Sequence, residues 1–533
     1  MPKEEFDYVI VGGGSAGCVL ANRLTEDSAA RVCLLEAGGK DTNPYIHMPV
    51  GFAKMTSGPL TWGFKTAPQK HANNREIPYA QARVIGGGSS INAEVFTRGN
   101  PVDYDRWAEE EGCEGWAFKD IQQYFIRSEG NTILAGDWHG TDGPLGVSNL
   151  QNPQPMTRAF VQSCQELGIP YNPDFNGEIQ EGAGVYQTTT KDARRCSAAV
   201  GYLRPIKDRT NLTIRTGCLV NRILFEGNRA TGVEYVSDGG DTVQVGAGSE
   251  VIVTSGAIGT PKIMMLSGVG PADHLKEMGI DVVHDSPGVG ENLNDHFGVD
   301  IVAELNGPYS LDKYNKPHWM LWAGMEYVLF KSGPVTSNVV EGGAFWRADQ
   351  SAPVPDLQFH FLAGAGAEEG VESVPSGSGI TLNSYTLRPK SRGTIKLRSA
   401  NPADDPIIDP NFLAEEYDRK TSAEGVRISR DIFMQPSLQK YIKRMHLPGD
   451  NVKTAEDFQA YTRNYGRTSY HPTCTCKMGT DEMAVVDPQL RVHGLENIRL
   501  CDSSIMPSLI GSNTNAPTIM IAEKASDMIR GNR

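Results

Sequence analysis

A glycine-rich turn close to the N-terminus has the residue spacing of a dinucleotide-binding site. Gly12-x-Gly14-x-x-Gly17 follows a β-branched run, and the acidic residue Glu36 comes about 20 residues later. In such a turn the first glycine allows a tight bend, the second lets the backbone approach a pyrophosphate, and the third lets the helix pack against the strand. The carboxylate accepts hydrogen bonds from a ribose and repels a 2′-phosphate. The spacing predicts a dinucleotide site and does not distinguish FAD from NAD.

A histidine and two cysteines form a second candidate constellation near the C-terminus. His471, Cys474 and Cys476 are residue types that bind zinc, but a closed site needs four ligands and no second paired cluster lies nearby. We therefore expect no metal and interpret both cysteines as packing residues. His471 could act as a general base, since the pKa of imidazole lies near neutral pH. Taken alone, one histidine among 11 is more often structural.

The sequence around the glycine turn predicts the strands and the helix that must position these residues. Residues 8–11 form a short β-branched run, a helical stretch carries Val19, Leu20 and Leu24 on one face, and residues 32–35 form the next apolar run. Strand, turn, helix and strand in this order predict a parallel βαβ unit. Residues 211–235 predict two short strands around Gly227-Asn228, and residues 250–255 predict a strand that leads into a helix. Residues 363–379 predict a loop.

Composition restricts the class of protein. The chain has 533 residues, of which 39% are hydrophobic and 21% charged, with a net charge of −14 and nine cysteines. The acidic balance argues against a nucleic-acid partner, and an odd number of scattered cysteines argues against a disulfide framework. No run approaches the ~18 apolar residues of a membrane span, and no basic-then-apolar leader precedes the first strand. We expect an enzyme without a transmembrane segment, located in the cytoplasm, with peripheral membrane association left open.

Further motifs resemble those of one flavoprotein family. They are ARVIGGGSSINAEVFTRG at 82–99, GAIGTPKIMMLSGVG at 256–270, PGVGENLNDH at 287–296, HPTCTCKMG at 471–479 and the segment 502–518. In this order along nearly the whole chain they resemble the glucose–methanol–choline (GMC) oxidoreductases. The resemblance implies an α/β (α+β overall) fold with a Rossmann-like FAD-binding domain and a second, sheet-containing substrate domain. The implied FAD-binding parts are 1–155, 201–310 and 465–533, and the implied substrate-domain parts are 156–200 and 311–464.

Within the family, four stretches resemble the bacterial FAD-dependent L-sorbose dehydrogenases. They are residues 47–55, 69–75, 91–98 and 469–476. This resemblance implies oxidation of a primary alcohol of a sugar or polyol, with L-sorbose converted to L-sorbosone. The expected partners are the alcohol and a quinone-like or dye-like electron acceptor of unknown identity.

The family resemblance also implies catalytic roles. The histidine of the His-Pro motif, here His471, takes the hydroxyl proton while the alcohol carbon transfers hydride to flavin N5. The position after the Pro-Ser pair at 507–508 corresponds to Asn513, whose amide would donate a hydrogen bond to the developing alkoxide. Some family members attach FAD through a histidine at the position of Ile91. Isoleucine cannot form that bond, so we expect non-covalent FAD.

The remaining FAD contacts are implied by position. Beside the glycines and Glu36, the expected cofactor-binding residues are Ser15, Ala16, Ala37, Trp62, Val84, Gly87, Asn92, Ala93, Glu94, Val95, Val220, Tyr470, Asp502, Ser503 and Thr514.

Two other activities remain open at this point. One is an alcohol oxidase of the same fold that uses O₂ and makes H₂O₂. The other is a hydroxynitrile lyase, because some proteins of this family use the site without redox chemistry.

Overall fold

The computed structural model describes residues 4–368 and 371–531, and two seven-stranded sheets organise them. Strand Glu4–Val11 lies in the middle of the first sheet, parallel to Val32–Glu36 on one side and to Thr242–Val253 on the other. Its β-branched run is buried on both faces, as expected for a central parallel strand. The first sheet consists, in spatial order, of Cys218–Glu226, Arg229–Ser237, Thr242–Val253, Glu4–Val11, Val32–Glu36 and Leu212–Thr216, with Ile498–Leu500 beside Thr242–Val253.

The second sheet is antiparallel. Its residues His360 and Asn383 line the same cavity as the glycine turn of the first sheet. It consists, in spatial order, of Ile442–Leu447, Phe297–Leu305, Gly379–Thr386, Leu357–Leu362, Val340–Trp346 and Gly182–Val185, with Arg467–Thr468 beside Phe297–Leu305. Both Phe297–Leu305 and Arg467–Thr468 fall in segments assigned to the FAD-binding domain from the sequence. The expected boundaries at 310 and 464 therefore do not coincide with the division between the two sheets.

Helices cover and connect the sheets. The longer ones are Ser15–Leu24, Pro101–Glu109, Phe118–Ser128, Pro155–Glu166, Gly256–Leu266, Pro317–Phe330, Glu416–Phe433, Ala455–Tyr465 and Asn515–Gly531. Shorter helices are Pro44–His47, Gly88–Ile91, Ala272–Glu277 and Pro436–Gln439. Short strands outside the two sheets are Glu129–Asn131, Leu145–Asn149, Gln187–Thr188, Thr190–Lys191, Arg194–Arg195, Val269–Gly270, His284–Asp285, Thr394–Lys396 and Ile407–Asp409.

The structure contains strands and helices at the positions where the sequence predicts them. The two strands expected around Gly227-Asn228 are Cys218–Glu226 and Arg229–Ser237, which pair antiparallel. The stretch from residue 211 also contains a third strand, Leu212–Thr216, which the sequence did not separate from them. The run at 250–255 ends strand Thr242–Val253 and leads into helix Gly256–Leu266. The described part of the loop expected at 363–379 has no helix or strand as far as residue 378, and Gly379 begins strand Gly379–Thr386. In residues 4–368 and 371–531, no helix is long and apolar enough to cross a membrane.

Candidate active site

One elongated cavity joins the glycine turn to the His-Pro segment. It encloses about 2150 Å³, counting the solvent at its open mouth. Its lining includes Gly14 of the glycine turn and Pro472 of the His-Pro segment. Glu36 lies on its lining at the nucleotide end, and His471 and Asn513 lie on its lining at the other.

The glycine turn forms a cradle at the start of helix Ser15–Leu24. Gly12 has φ +109°, and a Cβ on Gly17 would lie 2.0 Å from the carbonyl oxygen of Gly12, so neither position accepts a side chain. Gly14 lines the cavity, where an added Cβ would meet no protein atom closer than 3.8 Å. A side chain there would fill space beside the helix N-terminus, which binds phosphate when left open. These residues fit the pyrophosphate of a dinucleotide.

Glu36 ends strand Val32–Glu36 and holds the glycine turn in place. One carboxylate oxygen accepts a hydrogen bond from the backbone N–H of Gly13 and the other from that of Gly38, each at 2.7 Å. Burial raises the pKa of this carboxyl, and the two backbone donors oppose that shift. Each carboxylate oxygen can accept further hydrogen bonds, so Glu36 retains capacity for ribose hydroxyls.

The second glycine cluster packs directly on the first. The N–H of Gly86 donates to the carbonyl of Gly13 at 2.7 Å, and a Cβ on Gly87 would lie 2.7 Å from Cα of Gly14. The close approach explains why glycine is needed at Gly87, whose φ is +55°.

The segment after that cluster reaches the middle of the cavity. Its lining residues here are Ile91, Asn92, Ala93, Glu94 and Val95. The Asn92 amide oxygen accepts from Nη1 of Arg195 at 2.7 Å. The carboxylate of Glu94 is fully buried and lies 3.1 Å from Nε of Arg195. Burial raises its pKa to about 7, although the arginine opposes the shift.

Most of the other expected FAD contacts also lie on the lining. Asp502 accepts hydrogen bonds from the N–H of Gly256 at 2.9 Å and from the Thr260 hydroxyl at 2.6 Å, which ties it to the start of helix Gly256–Leu266. The expected residues on the lining besides those named above are Ser15, Ala16, Ala37, Trp62, Val220, Tyr470, Ser503 and Thr514.

Two expected contacts lie behind the lining. Gly17 packs against Gly12, and Val84 is fully buried in a small apolar cluster that contains Ile46 and Ile91. Both support the residues that line the cavity.

The two cysteines of the His-Pro segment are fully buried, and the other seven are also buried. In the part of the chain that the structure describes, no group of three or more His, Cys, Asp or Glu side chains is arranged to hold a metal ion.

His471 is held from both sides of its ring and by its backbone. Its Nδ1 lies 2.9 Å from Nδ1 of His296, and its Nε2 lies 3.3 Å from the amide nitrogen of Asn513. Its backbone N–H donates to Oδ1 of Asp295 at 2.9 Å. Burial lowers the pKa of the His471 imidazole to about 3, so the ring is neutral at physiological pH. A neutral imidazole carries one proton on one of its two nitrogens.

The orientation of the Asn513 amide is fixed by its other contacts. Its oxygen Oδ1 accepts from the hydroxyl of Thr97 and from Nε2 of Gln358, each at 3.0 Å. Because these donors require the oxygen on their side, the amide NH₂ faces His471. The asparagine is therefore set to donate toward the centre of the cavity.

Several site residues were not identified from the sequence. His296 and His360 occur in stretches that the sequence marks only as a family motif and as an alternating strand. Yet Nε2 of His360 lies 3.0 Å from Gln358 Nε2, and burial lowers the pKa of His360 to about 3. Glu368 and Arg467 also line the cavity as an ion pair. No local signal reveals these positions, because they come from separate strands and a loop that only the tertiary fold brings to the site.

Comparison with known proteins identifies the family of this chain. Family models described as GMC oxidoreductase match residues 6–298 and 389–522. The chain is 46% identical over 529 residues to the alcohol dehydrogenase (acceptor) of Pseudomonas putida, covering 98% of this chain and 95% of that protein. It is 42% identical over 540 residues to human (Homo sapiens) mitochondrial choline dehydrogenase, covering 99% and 90% of the two chains.

A solved structure shows the same fold along the whole chain. The pyridoxine 4-oxidase from Mesorbium loti superposes with a TM-score of 0.90 at 30% identity, covering 99% of this chain and 100% of that one. Together with the matches to both halves of the family, this likeness establishes that the chain belongs to the GMC oxidoreductases, FAD-dependent enzymes that act on alcohols.

Proposed function

We propose that this enzyme oxidises the primary alcohol of a sugar or polyol to the aldehyde, with His471 as the base and a quinone-like or dye-like molecule as electron acceptor. The observation that carries the proposal is a series of hydrogen bonds that runs from the Leu387 carbonyl through His296 and His471 to Asn513. These hydrogen bonds support a neutral His471 with its proton on Nδ1, which leaves Nε2 free to act as a base.

The series starts at the backbone carbonyl of Leu387, which can accept a hydrogen bond but cannot donate one. Nε2 of His296 lies 3.0 Å from the Leu387 carbonyl oxygen, so this nitrogen carries the proton. Burial and the neighbouring His471 keep the pKa of His296 well below its usual value. His296 is therefore neutral, and its Nδ1 is a bare acceptor.

The next link follows from the first. Because His296 Nδ1 accepts, the facing Nδ1 of His471 must donate and carries the one proton of that ring. The Nε2 of His471 is then an unprotonated lone pair directed at the cavity. It is the atom that can take a hydroxyl proton from a bound alcohol.

Asn513 supplies the complementary group. Its NH₂ points to the same place as His471 Nε2, so an alcohol oxygen between them would give its proton to Nε2 and accept a hydrogen bond from the amide. Such a bond strengthens as negative charge develops on the oxygen. When bound, FAD supplies the two-electron acceptor for the alcohol carbon. The proposed non-covalent attachment is supported by Ile91, which lines the cavity where a histidyl link would require histidine.

The polar wall of the cavity supports a polyhydroxylated substrate. Asn383, Ser469, Glu368 and Arg467 line it near His471. The Ser469 hydroxyl is buried with no hydrogen-bond partner in the described structure, and a buried hydroxyl without a partner is costly. A sugar hydroxyl would supply the missing partner. L-Sorbose, indicated by the sequence resemblance, is the first sugar to test, although the relatives named above act on other alcohols.

A substrate panel tests the proposal. L-Sorbose, other polyols, choline, pyridoxine and an aliphatic primary alcohol would each be mixed anaerobically with the enzyme while flavin absorbance is followed. The same panel would then be assayed with an artificial dye and with O₂. We expect bleaching by polyols and turnover with the dye. Faster turnover with O₂ would instead indicate an oxidase, a possibility favoured by the fold shared with pyridoxine 4-oxidase. Cleavage of a cyanohydrin without any bleaching would contradict the proposal.

A further inference from the structure

Helix Pro317–Phe330 exposes an unusual number of large apolar side chains. Eight of its residues are between 41% and 73% exposed, namely Trp319, Met320, Leu321, Trp322, Met325, Val328, Leu329 and Phe330. Exposed hydrophobic residues elsewhere on the described surface are more scattered along the sequence. Large contiguous apolar patches on a soluble protein mark sites of interaction.

The apolar surface wraps most of the way around the helix. The four consecutive residues 319–322 are all exposed, and successive residues lie about 100° apart around a helix axis. The residues that pack inward are Ala323 and Tyr327, one turn apart. A rigid protein surface covers one face of a helix, whereas fluid acyl chains can surround such a wide arc.

The charges around the helix are arranged for negatively charged partners. Lys313 and Lys316 precede the helix and Lys331 follows it. The amino group of Lys313 lies 5.0 Å from the centroid of the Tyr314 ring, and that of Lys331 lies 4.9 Å from the centroid of Tyr327.

The acidic residues of the same stretch, Asp312 and Glu326, are partly buried and hydrogen-bonded within the protein. Asp312 accepts from the backbone N–H of Gly379 at 2.9 Å, and Glu326 accepts from the hydroxyl of Ser332 at 3.4 Å. On a chain of net charge −14, this region therefore presents lysines without exposed acids between them.

We propose that helix Pro317–Phe330 binds the enzyme to the surface of an anionic lipid bilayer. With 14 residues it is about 21 Å long, shorter than the ~30 Å hydrocarbon core, so it lies in the interface and does not cross it. Its apolar side chains enter the acyl region, Trp319 and Trp322 sit at headgroup level, and the flanking lysines reach lipid phosphates.

The helix is connected to the cavity by direct packing. The segment Pro334–Thr336, just after the helix, packs on Pro49–Lys54, whose Phe52 lines the cavity. The hydroxyl of Tyr327 donates to the Ala193 carbonyl at 3.1 Å, close to the Arg195 that contacts Glu94. If the proposed function holds, an acceptor dissolved in the bilayer would approach the enzyme on this side. Membrane binding itself does not depend on that function.

Co-sedimentation with vesicles tests the proposal. The FAD-loaded enzyme would be mixed with vesicles of phosphatidylcholine and phosphatidylglycerol in equal parts, and with vesicles of phosphatidylcholine alone. We expect binding to the anionic vesicles that weakens with salt, and a blue shift of tryptophan fluorescence. The double variant Leu321→Asn, Leu329→Asn should lower the partition coefficient at least about 10-fold, because two exposed apolar side chains no longer enter the bilayer.

A matched control makes the result specific. Ile133 and Ile179 are 61% and 66% exposed, close to the exposure of the two leucines, and lie on other segments. Ile133→Asn, Ile179→Asn should bind vesicles as the parent does, and all three proteins should retain FAD and dye-linked turnover.

Three outcomes would overturn the proposal. The first is a parent enzyme that binds neither type of vesicle. The second is a control variant that loses binding as fully as the helix variant. The third is a dimer, detected by sedimentation without lipid, that only the helix variant dissociates, which would show that a second copy of the chain covers the helix.

Discussion

His296 and His471 face each other through their Nδ1 atoms at 2.9 Å, although they are far apart in the sequence. Only one of two neutral rings in this geometry can donate, and the Leu387 carbonyl on the far side of His296 decides which one. The proton on Nδ1 of His471 is thus determined by a backbone carbonyl two hydrogen bonds away. We therefore propose that His296 is a positioning residue for His471.

The first prediction concerns the base itself. His471→Ala should slow anaerobic flavin reduction by roughly 10²–10⁴-fold, because no positioned group then takes the hydroxyl proton. Asn513→Ala should cost less, about 10- to 1000-fold, since the base remains and one polarising hydrogen bond is lost. The measurement is stopped-flow bleaching of the flavin by an accepted alcohol.

The double variant provides a further check. Both groups act on one substrate oxygen, so the two effects should not add. A His471→Ala enzyme with full FAD content and a nearly unchanged rate of flavin reduction would show that another residue is the base.

The second prediction separates positioning from general structural support by His296. His296→Leu should slow flavin reduction about 10- to 100-fold, since His471 Nδ1–H loses its acceptor and the proton can move to Nε2. His296→Gln should recover most of the rate, because its amide can donate to Leu387 and accept from His471. The pH profile of flavin reduction should shift in the leucine variant and stay close to the parent in the glutamine variant. Equal rates and equal pH profiles for the two variants would contradict the positioning role.

The third prediction concerns Glu36. Glu36→Arg should weaken FAD binding roughly 10- to 100-fold. The substitution removes a buried charged acceptor, and the loss of its hydrogen bonds to the turn and to the ribose costs about 1.5–3 kcal/mol. Flavin reduction per bound FAD should change little. Fluorescence titration of the apoprotein with FAD measures the dissociation constant. Glu76→Arg, the same charge change at an exposed position, is the control, and equal affinities for both variants would place the ribose elsewhere.

The fourth prediction concerns the attachment of the cofactor. The purified protein should be yellow and should release its flavin into the supernatant when it is precipitated by acid or heat. Ile91 lines the cavity with an aliphatic side chain and cannot form a covalent link to the flavin. Flavin absorbance that remains with the washed, denatured polypeptide would contradict this prediction.

The fifth prediction concerns stability against pH. Burial lowers the pKa of His360 and His471 to about 3 and that of His296 well below its usual value. Histidines in the unfolded chain titrate near a pKa of about 6.5, so below that pH the unfolded state binds protons that the native state does not. The free energy of unfolding should therefore fall as the pH drops from about 6.5 toward about 3, by up to about 1.4 kcal/mol per pH unit for each histidine.

A histidine variant isolates this effect from that of buried carboxyl groups. His360→Gln should show a shallower decline of its urea midpoint between pH 7 and pH 5 than the parent. Parallel declines in the two proteins would indicate that His360 is protonated to the same degree in the folded and unfolded states.

The sequence by itself determined the local chemistry of the cofactor site. Gly12, Gly14 and Gly17 could be interpreted without a structure from their spacing after a strand. In the structure a side chain is excluded at Gly12 and Gly17, and Gly14 lines the open space beside the helix N-terminus. The position of Glu36 followed from the length of the βαβ unit, and His471 and Asn513 followed from motifs of the family. Each of these signals is contained in a short segment.

Only the tertiary structure decided which residues surround His471. His296 immediately precedes strand Phe297–Leu305, and Gln358 belongs to strand Leu357–Leu362 of the same sheet. No spacing in the sequence fixes which strands of an antiparallel sheet become neighbours. The protonated nitrogen of His471 depends on that pairing. The same holds for helix Pro317–Phe330, since an apolar helix is equally compatible with a buried core position and with the exposed surface it occupies. Burial is a property of the packed chain. The sequence therefore shows that this helix is apolar, but it does not show whether the helix is buried or exposed.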